Sequence, residues 1–286
     1  MGKPNVGKST LLNAYLGRKI AITSPRPQTT RTRILGVLSR QDAQVIFVDS
    51  PGWHSTRHPF DRRLLATARG VMEEADVLLT VIEATSGLAR EDAFVFQQIR
   101  RCERPRILAI NKVDLVRKPR LLPLLERCAG TGLFAACVPI SASTGDNLDR
   151  LLGELIRWLP EGPRWYEPEQ WTDQTTEQLI AEFIREQVLL ATYREVPRET
   201  AVLLGDLEPK EAVTVIRATI LVEREGQKGI VIGHRGQTLK RIGQAARLEL
   251  ERLIGRRVFL ELSVKVAKAW REDPTTLREL GYKPSR

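Results

Sequence analysis

The sequence predicts an α/β protein built on a doubly wound, mostly parallel sheet, followed by a smaller α+β domain. Three observations predict this. The chain opens on MGKPNVGKST, a glycine-rich phosphate-loop pattern of the form G-x-x-x-x-G-K-[ST]. Short β-rich runs then alternate with helical patterns as far as residue 160, the signature of parallel crossover units. Beyond a Pro-rich break the order changes to helix, two strands, two helical segments and a strand. A length of 286 residues suits two domains, each able to bury its own core.

The first element is the loop itself, and it raises a difficulty. A phosphate loop normally hangs from the end of a buried parallel strand, yet only Met1 precedes Gly2 here. Without that strand its two neighbours would lie about 10 Å apart, with two rows of backbone groups unpaired. The expectation is therefore that the first strand is missing from this sequence. The native chain would extend upstream by roughly five to ten β-branched and apolar residues. A chain starting at Met1 should be poorly stable and bind nucleotide weakly.

The runs AQVIFVDSPG, ADVLLTVIEA, PRILAINKVD and AACVPISAS are predicted strands with polar or Gly endings. EDAFVFQQIRRC and NLDRLLGELIRWL are predicted helices between or after them. Ligands of such sheets bind beyond the carboxyl ends of the strands, where those endings fall. The amides around Asn5, Val6, Gly7, Lys8, Ser9 and Thr10, with Gly2 at the start of the loop, can surround a diphosphate at a helix N-terminus. Lys8 would reach the β- and γ-phosphates and the Ser9 hydroxyl a Mg²⁺ ion. Asp49 can hold a metal-bound water, and the Gly52 amide can meet a γ-phosphate.

The third ending selects the base. Asp114, in Asn111-Lys112-Val113-Asp114, can accept from guanine N1–H and the exocyclic amine. Adenine offers no such pair of donors and would leave the carboxylate desolvated, at a cost of about 1–3 kcal/mol. Asn111 can tie neighbouring loops together, and Ser141-Ala142-Ser143 can present an amide to guanine O6. Four such endings in order point to a guanine nucleotide.

PEGPRWYEPEQWTDQ, residues 160–174, carries three Pro and no period and reads as a linker. The predicted domains are thus 1–160 and 175–286, joined by 161–174. Charge divides similarly: 45 Lys and Arg against 35 Asp and Glu give +10. Residues 1–160 carry +9, 161–227 carry −7 and 228–257 carry +6. Such polarity points to an anionic partner, nucleic acid or a membrane surface. Cys102, Cys128 and Cys137 have no metal-type spacing and read as reduced thiols. No apolar run is long enough to span a bilayer, and no signal peptide precedes the loop. The expectation is a cytoplasmic protein, in part at the inner face of the cell membrane.

QTTRTRILGV, REVPRETAV, LVEREGQKGIVIGHRG and VKVAKAWREDPTTLRELGY extend the pattern over the whole chain, which resembles the Era family of bacterial ribosome-associated GTPases. The resemblance implies a P-loop GTPase domain and a type II KH domain with a C-terminal helical tail. It also implies that Thr30 is the switch residue joining Ser9 and, through water, Asp49 on Mg²⁺, with Thr29 its adjacent competitor. Asn5 would hold a potassium ion beside the phosphates. The segment with Gly233, His234, Arg235 and Gly236 would clamp single-stranded RNA, with Ile230 and Ile232 lining an apolar groove and Lys240 and Arg241 adding charge. The family ligand is the 3′ end of small-subunit rRNA. Trp53 follows Gly52 where small regulatory GTPases place a water-orienting Gln, and no side chain stands out as a general base. The expected activity is slow, partner-stimulated GTP hydrolysis by a monomer that assists small-subunit assembly. A rival reading is a constitutive RNA-binding factor whose nucleotide site is structural or inactive.

Overall fold

In the computed structural model, which describes residues 1–54, 56 and 58–282, the chain divides into two units. The first holds Met1–Thr23 and Thr30–Asp173, the second Ser24–Thr29 and Gln174–Arg286.

In the first unit β3 (Leu78–Glu83), β4 (Arg106–Asn111) and β5 (Ala136–Pro139) form a parallel sheet in that order. The register sets Glu83 opposite Asn111 and Ile110 opposite Pro139, which brings the polar strand endings to one edge. Side chains alternate between the two faces. Leu78, Ile82, Leu108 and Ile110 pack on α2 (Pro59–Glu74), α3 (Arg90–Ile99) and α4 (Leu121–Ala129) through Ala68, Phe96 and Leu124. Val81, Ile107, Ala109 and Val138 pack on Leu11 of α1 (Lys8–Leu16) and on Leu151 and Leu155 of α5 (Leu148–Trp158). Helices on both faces make the predicted doubly wound layers, each buried aliphatic side chain contributing about 1.5–3 kcal/mol.

β1 (Ile34–Ser39) and β2 (Gln44–Asp49) pair antiparallel, with Ile34 opposite Asp49. No ladder joins β2 to β3 among the described residues. Met1 and Gly2 lie against β3 instead. The Met1 amine donates to the Leu79 carbonyl at 2.6 Å, and the Val81 amide donates to the Met1 carbonyl at 2.8 Å. On the other side the Trp53 amide donates to the Gly2 carbonyl at 3.0 Å.

The segment read as a linker is ordered against this unit up to Asp173. Gln44 helps hold its start: its Oε1 accepts from the Trp165 and Tyr166 amides at 2.8 and 3.0 Å, and Nε2 donates to the Tyr166 carbonyl at 2.8 Å. Further on, the Val37 amide donates to the Trp171 carbonyl at 3.0 Å and Thr172 Oγ1 to the Leu35 carbonyl at 2.7 Å. An irregular Pro-rich strip thus satisfies backbone groups on the β1 edge.

The second unit carries the three-stranded sheet β6 (Ala201–Pro209), β7 (Thr214–Val222), β8 (Val258–Val266), in that order. β6 runs antiparallel to β7, and β8 runs parallel to it. A parallel neighbour requires a crossover, supplied by α7 (Glu225–Ile232) and α8 (Gln237–Ile254). The helix α6 (Thr176–Ala191) is capped by Thr175, which accepts from the Gln178 amide, and buries Leu179, Ile180, Phe183, Ile184 and Val188. α8 buries Ile242, Ala246 and Leu250, one residue per helical turn on a single stripe. The tail is pinned by Trp270, fully buried with its indole N–H on the Glu199 carbonyl at 2.9 Å. The short helix α9 (Pro274–Glu279) follows, and the last four residues of the predicted domain lie outside the described residues.

Ser24–Thr29 belongs to this second unit because its backbone and side chains find their partners there. The buried Arg185 guanidinium donates to the Thr29 carbonyl, Arg26 donates to the Thr192 carbonyl at 3.1 Å, and Arg198 donates to Gln28 Oε1 at 3.2 Å.

Candidate nucleotide site and nucleic-acid interface

The phosphate loop bends through backbone conformations its residues make available. Asn5 and Gly7 have φ of 65° and 97°, and α1 starts at Lys8. A Cβ on Gly7 would overlap the Asn111 side-chain amide, so glycine here permits the close approach of two motifs. The Lys8 ammonium folds over the loop, donating to the Lys3 carbonyl at 2.9 Å and to the Gly2 carbonyl at 3.2 Å. Burial pulls its pKa down, and the Asp49 charge partly opposes that. An incoming phosphate would replace neutral carbonyls with charged oxygens at this ammonium, a stronger partner.

Ser9, Thr30 and Asp49 come from three separate segments and meet. Ser9 Oγ donates to Asp49 Oδ2 at 2.6 Å, and Thr30 Oγ1 lies 2.9 Å from Ser9 Oγ and 3.2 Å from Asp49 Oδ2. Thr30 and Asp49 are buried. Thr29 instead turns its hydroxyl to the Arg26 carbonyl at 2.7 Å, so only Thr30 stands with the other two. Two hydroxyls and a carboxylate are hard oxygen donors of the kind Mg²⁺ takes when phosphates complete its shell. Among the described residues no group of three or more His, Cys, Asp or Glu could hold a metal.

The residues expected to select the base stand on the same edge. Asn111 Nδ2 donates to the Val6 carbonyl at 2.8 Å, and its Oδ1 accepts from the Ala142 amide at 2.9 Å. One buried side chain therefore joins the phosphate loop to the Ser141-Ala142-Ser143 loop, and one amide of that loop, Ala142's, is engaged by Asn111. The Ser141 and Ser143 hydroxyls lie 3.0 Å apart. Lys112 donates to the Asn5 carbonyl at 2.8 Å. Asp114 is exposed, and its carboxylate has no hydrogen-bond partner among the described residues, so both oxygens are open to a ligand. Gly52 lies against Pro4 of the loop; a Cβ there would fall 2.8 Å from the Pro4 nitrogen.

Trp53 turns inward, 1% exposed within the core beside β3, and its indole N–H is buried without a partner. This side chain cannot orient water at the phosphates. The motif reading missed Lys3, a variable position of the phosphate-loop pattern. Its buried ammonium donates to Ser86 Oγ at 3.0 Å and to the fully buried Asp92 at 3.2 Å, bracing the loop against α3. The only signal for this was a Lys inside the pattern, because Asp92 is 89 residues away.

In the second unit Gly233, His234, Arg235 and Gly236 join α7 to α8. Gly233, Arg235 and Gly236 all have positive φ, at 72°, 49° and 76°. A Cβ on Gly233 would fall 2.7 Å from Thr238 Cβ, whereas Gly236 faces open space. His234 and Arg235 are exposed, as are Lys240 and Arg241 in the first turns of α8 and Arg247 beyond them. Of the expected apolar lining, Ile230 is 49% exposed, Ile232 is half-buried and Val231 between them is a core residue. The result is a tight, cation-bearing loop with open backbone beside exposed apolar surface, the pattern that receives a sugar-phosphate chain.

Comparison with known proteins agrees with this division of labour. Residues 1–112 match the family described as 50S ribosome-binding GTPase, and residues 195–271 match the KH domain family. GTPase Era of Syntrophus aciditrophicus is 46% identical over 99% of this chain and 93% of its own length. GTPase Era of Coxiella burnetii is 44% identical over 99% and 96%. A crystal structure of Era in complex with MgGDPNP and nucleotides 1506–1542 of 16S ribosomal RNA superposes with a TM-score of 0.94 at 41% identity, covering 98% of this chain and 96% of that one. A variant of Aquifex aeolicus Era bound to GDP·AlF4⁻ gives a TM-score of 0.93 at 42% identity with the same coverage. With a phosphate-loop pattern and an Asn-Lys-Val-Asp strand ending on one unit, a KH match on the other, and relatives of this identity over nearly its full length, the chain belongs to the Era family of GTPases.

Proposed function

We propose that this chain is a GTP-operated switch that binds the single-stranded 3′ end of small-subunit rRNA and assists assembly of the small ribosomal subunit. The observation that carries the proposal is the meeting of Ser9, Thr30 and Asp49 within 3.2 Å. The contact of Thr30, from the segment expected to switch, with Ser9 at the start of α1 and Asp49 at the end of β2 supports this reading. Ser9 and Thr30, with Asp49 through water, would hold Mg²⁺, which would supply positive charge to the phosphates. Lys8 and the loop amides would hold the β- and γ-phosphates, Asp114 and Asn111 the guanine. Hydrolysis is slow, because the buried Trp53 offers no amide to position water. Asn5, exposed at the rim of the loop, would hold a potassium ion that supplies charge beside the phosphates.

RNA would enter at Gly233–Gly236, its phosphates held by Arg235, Lys240 and Arg241 and its bases by the apolar surface around Ile230 and Ile232. The chain would act as a monomer in the cytoplasm, its basic surface making peripheral contact with the inner membrane face. No described helix is long and apolar enough to cross a membrane. Binding of labelled GDP, GTP and ATP tests the nucleotide assignment: guanine nucleotides should bind with Mg²⁺, and ATP should not compete. Equal competition by ATP contradicts it. Omitting K⁺ should slow hydrolysis, and an unchanged rate in Na⁺ removes the ion from Asn5.

A further inference from the structure

Lys112 is held from two sides. Its ammonium donates to the Asn5 carbonyl at 2.8 Å and to Glu83 Oε2 at 2.7 Å. Glu83 is the last residue of β3, at the end of the run ADVLLTVIEA, and the sequence alone assigns it no role. Its position follows from the sheet: the parallel register sets it opposite Asn111, and the Ala84 amide donates to the Asn111 carbonyl at 2.8 Å. The strand that carries Glu83 is therefore fixed directly beside the base-selecting loop.

The same carboxylate faces a second cation. Glu83 Oε1 lies 3.7 Å from the buried Lys3 ammonium, itself paired with Asp92 at 3.2 Å. One negative charge thus stands between a lysine of the phosphate loop and a lysine of the base loop. Burial raises the Glu83 pKa, but the hydrogen bond and charge of Lys112, with Ser86 and Lys3 adding to them, bring it below the usual carboxylate range. The backbone around this contact needs support. Lys112 and Asn5 both have φ of 65°; asparagine visits this region readily, but a lysine holds the left-handed conformation mainly when its surroundings impose it. The Lys112 ammonium reaches the carbonyl of Asn5, and Glu83 supplies the charge that keeps the ammonium there.

We propose that Glu83 is a positioning residue for guanine-nucleotide binding, holding Lys112, and through it the turn at Asn5, in the arrangement that receives the nucleotide. Glu83 touches no ligand itself; removing its charge frees Lys112 to turn to water and lets the phosphate loop and the base loop move independently. The proposal rests on the guanine-nucleotide reading of this site.

The test is a double-mutant cycle on the release of fluorescently labelled GDP from the full chain. Glu83→Gln keeps the shape and removes the charge, and should speed release about tenfold, the scale of one charge-assisted hydrogen bond. Lys112→Met should also speed release. Glu83→Gln in that background should then change the rate by less than about twofold, because the partner is already gone. A merely structural Glu83 would act independently of Lys112. Glu83→Asp keeps the charge on a shorter stem and should fall between parent and Glu83→Gln; it also serves should Glu83→Gln not fold. Unchanged release from Glu83→Gln, or effects of the two substitutions that multiply, overturns the role of Glu83 alone. A parent chain that binds no GDP overturns the nucleotide reading and this proposal with it.

Discussion

Thr30 Oγ1 lies 2.9 Å from the Ser9 hydroxyl, while the adjacent Thr29 hydroxyl donates to the Arg26 carbonyl. Two neighbouring threonines thus separate into a metal-side residue and a loop brace. Thr30→Ala should weaken binding of Mg²⁺ and a GTP analogue roughly tenfold, the scale of one lost ligand contact, and leave GDP affinity nearly unchanged. Thr29→Ala should leave both affinities close to parent. Titration of the two variants with labelled nucleotide decides; a larger loss from Thr29→Ala reverses the assignment.

Asp114, proposed to accept two bonds from guanine, is exposed with no hydrogen-bond partner among the described residues. Asp114→Asn donates where the carboxylate accepted, so it should lose GTP and gain xanthosine triphosphate. The loss should be at least tenfold, since a mismatched polar pair leaves buried groups unpaired at about 1–3 kcal/mol. Competition of the two triphosphates for the variant measures this. Retained GTP preference would place the base elsewhere.

The positive φ of Gly236 and its open surroundings bear on RNA. Gly236→Asp should cripple single-stranded RNA binding and spare GTP affinity, because the added side chain blocks the backbone and its charge repels phosphate. Arg235→Ala should be milder, lowering the magnitude of the log-salt slope by about 0.7 and weakening all RNA sequences alike. Salt titrations of RNA binding measure both. Normal binding by a folded Gly236→Asp would leave the loop a simple turn.

Much of this was legible because it rests on local chemistry. The alternating runs predict β3, β4 and β5, and the polar endings that follow them predict where Asn111 and Asp114 stand. The short spacing of Gly233 and Gly236 shows a tight loop before α8. Other features depend on residues far apart in sequence. Nothing near Glu83 announces Lys112, and nothing near Lys3 announces Asp92; only the sheet register and α3 bring them together. The contacts that the linker segment makes were not legible because Pro and scattered aromatics erase periodicity, whereas the partners come from distant residues such as Gln44 and Leu35. The Ile34–Ser39 strand was hidden inside a stretch read as a switch segment. Its Gly36 lowers strand propensity, and pairing with β2 outweighs that.

The rate of GTP hydrolysis by the full chain, measured with and without single-stranded RNA carrying the small-subunit 3′ end, tests the central claim most directly. A switch should hydrolyse GTP slowly alone, with the inward-turned Trp53 unable to orient the attacking water, and several-fold faster when Gly233–Gly236 is occupied by RNA. A chain that binds the RNA tightly while hydrolysing no GTP, or hydrolysing it at one rate throughout, would contradict the account and describe a constitutive RNA-binding factor.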